Sequence, residues 1–280
     1  MPLQSFVDGE EPTIDAAWLN AIDAFYFTLF NSATTAAAAR TAISAAALDG
    51  LITQDFSAKL LIADSFTPSA GTATVAPSVL TAGTNLTTAA AGASEYDGKA
   101  FYDSAVASGR GLRRISHFTA LTADFVGTNV NTAQPFFSTA QDVITLSALT
   151  SYEFEAVISM SRAAGTTSHT IGILFGGTAT FTSIGYHAQS TSTTGNALGA
   201  ISSIYGVAAT STVVTAASTT ATENNHFVLK GIMRINAAGT VIPQFIFSAA
   251  PGGVPTIRAN SYFKLTPLGS NTVASVGNWA

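Results

Sequence analysis

From residue 123 onward, apolar and polar side chains alternate with a period of two. The clearest run sets Tyr152, Phe154, Ala156, Ile158 and Met160 against Glu153, Glu155, Val157 and Ser159. Only an extended strand puts alternate residues on one face; a helix would scatter this set around its axis. Comparable stretches fall at 143–146, 152–161, 170–175, 180–187, 202–207, 212–216, 226–236, 241–248 and 262–267. Turn sequences such as Ala163-Ala164-Gly165 and Asn236-Ala237-Ala238-Gly239 separate them. In the 226–236 stretch, Phe227, Leu229 and Ile232 are expected to face inward. Many short strands at this spacing predict a C-terminal antiparallel β-sandwich or jelly roll over 121–280.

The surface of such a fold would carry little charge. Charged residues make up 10% of the 280 positions, against about 25% in an ordinary soluble protein. Thr, Ser, Asn and Gly supply the polarity instead, and Thr suits a pleated surface. A lone chain with so few charges is expected to be poorly soluble, which implies burial against other copies or other subunits. The net charge is −5 and no basic run occurs, so a nucleic-acid surface is not expected. Arg110, Arg113 and Arg114 form the densest basic group and read as ion-pair partners between elements or subunits. The chain has no cysteine, which removes disulfides, thiolate metal sites and cysteine nucleophiles.

The first third reads differently. Residues 1–12 form an arm with neither the basic nor the apolar region of a signal peptide. Thr13 is a candidate N-cap for a helix over 14–30, with Asp15 in its first turn. Ile14, Trp18, Ile22 and Phe25 share one face, and Tyr26, Phe27, Leu29 and Phe30 make its second half apolar nearly all round. A single helix cannot bury that much aromatic surface alone, so it is expected to dock, either into another protein or against the next helix. An Ala-rich helix follows over about 34–48, ending at Asp49-Gly50, and a short one over 54–63. No stretch is long and apolar enough for a membrane-spanning helix.

Between these regions, residues 64–120 are punctuated by Pro68, Gly71, Pro77 and Gly83. Glu95-Tyr96-Asp97-Gly98-Lys99-Ala100-Phe101-Tyr102 places Asp-Gly between two strand-like tetrads, which predicts a two-residue hairpin turn. A further strand is expected around 115–118.

Catalytic motifs are scarce. His117, His169, His187 and His226 form no metal-binding spacing, although His169 and His187 could meet across strands. There is no nucleophile elbow, phosphate-binding loop or dinucleotide fingerprint, and no D-x-D-x-D calcium loop. Glu153 and Glu155 share a strand face about 7 Å apart, a spacing a glycosidase could use, but they also read as a solvated stripe. Sugar binding without catalysis needs aromatic faces and polar loop groups. Tyr186, His187 and Tyr205 are the candidates for glycan contact, with Trp279 a further exposed aromatic; the same aromatics could equally be core. No cofactor or metal is expected.

Three segments resemble bacteriophage tail and fibre proteins. Phe6-Val7-Asp8-Gly9 with Pro12-Thr13-Ile14-Asp15-Ala16-Ala17-Trp18-Leu19-Asn20-Ala21-Ile22-Asp23 is similar to the start of many virion appendage proteins. Ala36-Ala37-Ala38-Ala39-Arg40-Thr41-Ala42-Ile43 is similar to helical linkers of tail fibres. The segment 86–102, ending Glu95-Tyr96-Asp97-Gly98-Lys99-Ala100-Phe101-Tyr102, resembles a hairpin module found ahead of phage β heads, with Ala89 in place of a common Pro and Ser94 in place of an apolar residue.

This resemblance implies a non-enzymatic structural subunit of a parallel homotrimer, made in the host cytoplasm and located in the virion. In that reading 1–32 is an anchoring arm and helix that docks to tail, neck or portal proteins through Ile14, Trp18, Ile22, Phe25, Tyr26, Leu29 and Phe30. Residues 33–63 form a trimerising coiled-coil linker around Ala36, Arg40 and Ile43, 64–120 a β-hairpin neck, and 121–280 a head meeting host-surface polysaccharide. A head or neck fibre, or a capsid decoration protein without receptor role, is the alternative; a glycan depolymerase is a remote one. Neither nucleic acid nor membrane insertion is expected.

Overall fold

The computed structural model describes residues 70–139, 141–193 and 201–277. The chain divides into a unit of residues 1–70 and a unit of residues 71–280, and the second is described below. The helices expected over 14–30, 34–48 and 54–63 lie outside the described residues, as does Trp279.

Every strand pairing among the described residues is antiparallel. The first element is a three-stranded sheet of β1 (Ser94–Tyr96), β2 (Phe101–Val106) and β3 (Gly109–Arg113). The hairpin at Asp97-Gly98 is present, but its loop has four residues rather than two. Tyr96 pairs with Phe101, leaving Asp97, Gly98, Lys99 and Ala100 outside the ladder. The Asp97 carboxylate explains the longer loop: Oδ1 accepts from the Lys99 and Ala100 amides, each at 2.8 Å, and Oδ2 accepts from the Tyr102 hydroxyl at 3.0 Å. Gly98 supplies the positive φ of 84° that this turn requires.

The neighbouring Glu95 holds the incoming chain. Its Oε1 accepts from the Leu86 amide at 2.6 Å and its Oε2 from Arg110 Nε at 2.8 Å, while Arg110 also donates to the Leu86 carbonyl. Residues 70–93 form no strand or helix, so this clamp substitutes for a ladder. Arg113 pairs with Asp103 at 2.7 Å and Arg114 with Glu153 at 2.9 Å. The three arginines thus join separate elements.

Two larger sheets follow. The eight-stranded one runs β11 (Ile201–Gly206), β10 (Thr180–Thr193), β13 (Glu223–Ala237), β8 (Thr150–Arg162). Beyond β8 it divides. One end of β8 pairs with β15 (Pro255–Ile257) and then β5 (Phe125–Val126), the other with β16 (Tyr262–Ser270) and then β4 (His117–Ala120). β4 falls in sequence within 64–120, yet it completes this sheet rather than a neck. The five-stranded sheet contains β12 (Thr212–Val213), β9 (Ile171–Gly176), β14 (Gly239–Phe247), β6 (Gln134–Pro135) and β7 (Ile144–Leu146).

The two sheets bury one shared core. Tyr152, Phe154, Ala156, Ile158 and Met160 all face into it, as their alternation requires. Ile171, Ile173 and Phe175 of β9 and Val241, Phe245 and Phe247 of β14 enter from the other sheet. Along β13 the inward set is Phe227, Leu229, Gly231, Met233 and Ile235. Ile232 instead faces out at 44% exposure, correcting its assignment to the inner face. Gly231 occupies the inward position that the sequence reading gave to its apolar neighbour.

That glycine has a packing reason. Gly231 lies opposite Tyr186 on one side and Phe154 on the other. The two rings meet across it at 6.1 Å, and both contact Phe175 of the facing sheet, at 5.5 and 5.2 Å. A Cβ at Gly231 would collide with Tyr186. Gly231→Ala is therefore expected to destabilise the fold by about 1–3 kcal/mol through overpacking, read as a lower urea midpoint at unchanged slope.

A second expectation concerns acid. The Arg110 hydrogen bond, with the Leu86 amide, holds Glu95 below its ordinary carboxylate value of 4.5, and Arg113 does the same for Asp103. A lowered folded-state value stabilises fully above the unfolded value and is lost as the pH falls through the folded one. Amide-exchange protection of β1–β3 should hold from neutral pH to about pH 5 and fall below about pH 4. Glu95→Gln should reduce protection at neutral pH and flatten that dependence.

Candidate functional site

The docking residues Ile14, Trp18, Ile22, Phe25, Tyr26, Leu29 and Phe30, and the linker residues Ala36, Arg40 and Ile43, lie outside the described residues. The three glycan candidates are described, and they separate. Tyr186 is 1% exposed, with its ring between Phe154 and Phe175. It faces inward because its strand partners, Gly206 and Gly231, leave it room on that side. Tyr186 is thus a core residue, and its place among surface glycan contacts is corrected. Burial pushes its phenol up, with Thr212 beside it acting the other way.

His187 and Tyr205 come together. They are direct cross-strand partners on the outer face of β10 and β11. Tyr205 is 71% exposed, and its ring leans over Gly185, which has no side chain to displace it. The His187 ring bonds Ser203 on the same edge strand. The pair forms a small aromatic shelf with polar groups at its margin.

His169 and His187, which could have met across strands, do not pair. His169 lies next to β9, bridged to Ser218, and is buried at 2%. Its Nδ1 is 2.9 Å from the Thr167 carbonyl and its Nε2 is 3.2 Å from Glu223 Oε2. His226 bonds Ser159 on the outer face.

Glu153 and Glu155 do share the outer face of β8, but each is engaged. Glu153 pairs with Arg114. Glu155 accepts from the Tyr262 hydroxyl at 2.7 Å and lies 3.7 Å from Lys230. The Tyr262 bond, with the nearby lysines, holds Glu155 below the usual carboxylate range. A glycosidase acid needs the opposite perturbation.

The least expected feature is a buried charge cluster. Glu223 at the start of β13 lies opposite Arg162 at the end of β8. Arg162 Nη2 is 3.0 Å from Glu223 Oε2, and both side chains are almost fully buried. The Arg162 guanidinium also donates to the carbonyls of Ala164, Gly165 and Thr220. Two buried atoms of the cluster, Glu223 Oε1 and Arg162 Nε, have no hydrogen-bond partner among the described residues.

Glu223 and His169 line a cleft of about 200 Å3 at this end of the two sheets. Asn225, Ser190, Ser192 and Ser202 supply its remaining large-sheet polar groups, while Ile171 and Ala217 form apolar wall. The alternation contained the signal: Glu223 and Asn225 are in register with Phe227 and Leu229. Reading 226–236 as the strand cut them off.

Removing one partner of a buried pair leaves the other charge uncompensated. Arg162→Ala is expected to cost about 3–5 kcal/mol. The double variant Arg162→Met with Glu223→Leu should recover most of that loss. Urea melts of both and of the parent chain measure the difference.

No protein-family model matches this chain, and no curated protein matches it.

Proposed function

We propose that this chain is a structural subunit of a trimeric bacteriophage appendage, a tail fibre that attaches through residues 1–32 and presents its β region to host-surface glycan. The observation that carries the multimer is the extended segment ahead of β1. Val75, Val79, Leu80 and Leu86 are exposed there by 63, 77, 42 and 48%. Four large apolar side chains on a segment without ladder partners among the described residues form apolar surface that neighbouring copies in a multimer would cover. A parallel trimer would bring three such segments together soon after residues 33–63 in sequence.

The sequence resemblance supports the remaining parts. The Glu95-Tyr96-Asp97-Gly98 module closes a small sheet ahead of the larger two. Lys99 of that module donates to the Leu149 carbonyl at 2.8 Å, tying the hairpin to the start of β8. The shelf of Tyr205 and His187 on an edge strand suits stacking on a sugar face. Engagement of both Glu153 and Glu155 favours binding over hydrolysis.

Light scattering on the intact chain should return three times 28.6 kDa; a folded monomer would refute the trimer. Deleting residues 1–32 should leave the trimer intact and abolish incorporation into virions. Electron microscopy of labelled particles should put the protein on the tail; label at the neck or capsid would select the head or neck fibre instead.

A further inference from the structure

β11 and β4 lie at opposite edges of the eight-stranded sheet. Among the described residues, β11 pairs only with β10 and β4 only with β16. Edge strands are ordinarily guarded against pairing with another chain by charge, proline or a bulge. Neither of these strands contains Lys, Arg, Asp, Glu or Pro, and neither ladder has a register shift.

The two edges also match each other. One row of outward residues crosses the sheet: Phe118, Lys264, Glu155, Lys230, His187 and Tyr205 are successive cross-strand partners. An aromatic ring stands at each end, Phe118 exposed by 64% and Tyr205 by 71%.

Backbone polarity follows the same row. The Leu121 amide donates to the Ser261 carbonyl at 2.9 Å, so Leu121 faces β16. Gln141 Nε2 donates to the Ala120 carbonyl, also at 2.9 Å, from the opposite side. Facing alternates residue by residue in an antiparallel ladder, so the Phe118 N–H and C=O point to the free edge. The same alternation, carried through ladders that are regular at this level, turns the N–H and C=O of Ile201, Ser203 and Tyr205 to the other free edge. The successive antiparallel steps leave β11 running opposite to β4.

We propose that β11 of one copy adds to β4 of the next as an antiparallel pair, with Tyr205 opposite Phe118, and that three copies close a ring in this way. Each edge supplies what the other lacks: donors and acceptors at the same level, the required direction and no charge to repel. The contact joins two different edges, as a three-fold ring demands; β11 against β11 would give a two-fold dimer. The seam sets Tyr205 beside the Phe118 of the neighbouring copy, which itself stacks on Tyr262 at 5.6 Å, and so widens the aromatic shelf of His187 and Tyr205. The inference rests on the multimer reading above and assigns it a pairing surface.

The test places Tyr205→Cys and Phe118→Cys together in the full chain, which has no cysteine of its own. Directly opposite, hydrogen-bonded residues have Cα atoms about 5.5 Å apart, within the range of about 4.4–6.8 Å that a disulfide spans. Both side chains are exposed, so the exchanges leave the core intact. Mild oxidation should give bands of two and three chains on a non-reducing gel and none beyond, all returned to one chain by dithiothreitol. Tyr205→Cys alone should stay uncross-linked. A dimer from that single variant shows two-fold pairing and overturns the proposal, as does a double variant that yields only single chains or a ladder beyond three. Ser203→Pro removes an amide that points to the free edge rather than to β10. Added to the double variant, it should abolish the cross-linked bands at an unchanged melting temperature; undiminished bands would show a contact that is not a ladder and overturn the pairing. Light scattering separates the two readings. A trimer that does not cross-link keeps the multimer and rejects the seam, whereas a folded monomer rejects both.

Discussion

The contact between Phe154 and Tyr186 across Gly231 organises the described fold. Three adjacent strands, β8, β13 and β10, each contribute one residue at the same level, and the middle one is glycine. Its missing side chain lets two large rings from the outer pair meet at 6.1 Å. Phe175 enters from the five-stranded sheet and Phe263 from β16, 5.9 Å from Phe154. One cluster therefore sets the distance between the sheets and the register of the long strands. A slip of one residue along β13 would put Ile232 against these rings and turn every inward residue of that strand outward.

That register has consequences at both faces. Inward, it continues past Phe227 to Asn225 and Glu223, so the apolar core ends in polar groups between the two sheets. Outward, it places Lys230 near Glu155 and His226 beside Ser159. With Tyr186 turned in, its strand neighbours His187 and Gly185 face out, where they pair with and underlie Tyr205. The core position of one tyrosine and the surface shelf of another thus follow from the same alternation.

The hairpin module works by a different device. Among the described residues, the stretch 70–113 buries as apolar side chains only Ala89 ahead of β1, Ala100 in the loop and Tyr102 in β2. Side-chain-to-backbone bonds carry it instead: Asp97 shapes the loop, Glu95 and Arg110 grip the Leu86 peptide group, and Lys99 reaches Leu149. Each motif residue has a bonding role, which explains why the segment stands out in a chain otherwise poor in charge.

The sequence alone determined the strand character of most of the region, because a period of two is a local property that burial on one face imposes. It marked the inward face of β8 and the existence of the Asp97-Gly98 hairpin. Tertiary packing decided the rest. The loop length depended on where the Asp97 carboxylate found its donors. Tyr186 could be assigned to the core only once Gly206 and Gly231 were known to lie beside it, and these are 20 and 45 residues away in sequence. The pairing of Arg162 with Glu223 spans 61 residues and depends on strand register. The cleft arises where two sheets part, and no single strand records that separation. Periodicity says which way a side chain points; only the facing layer decides whether it meets core, partner or open space.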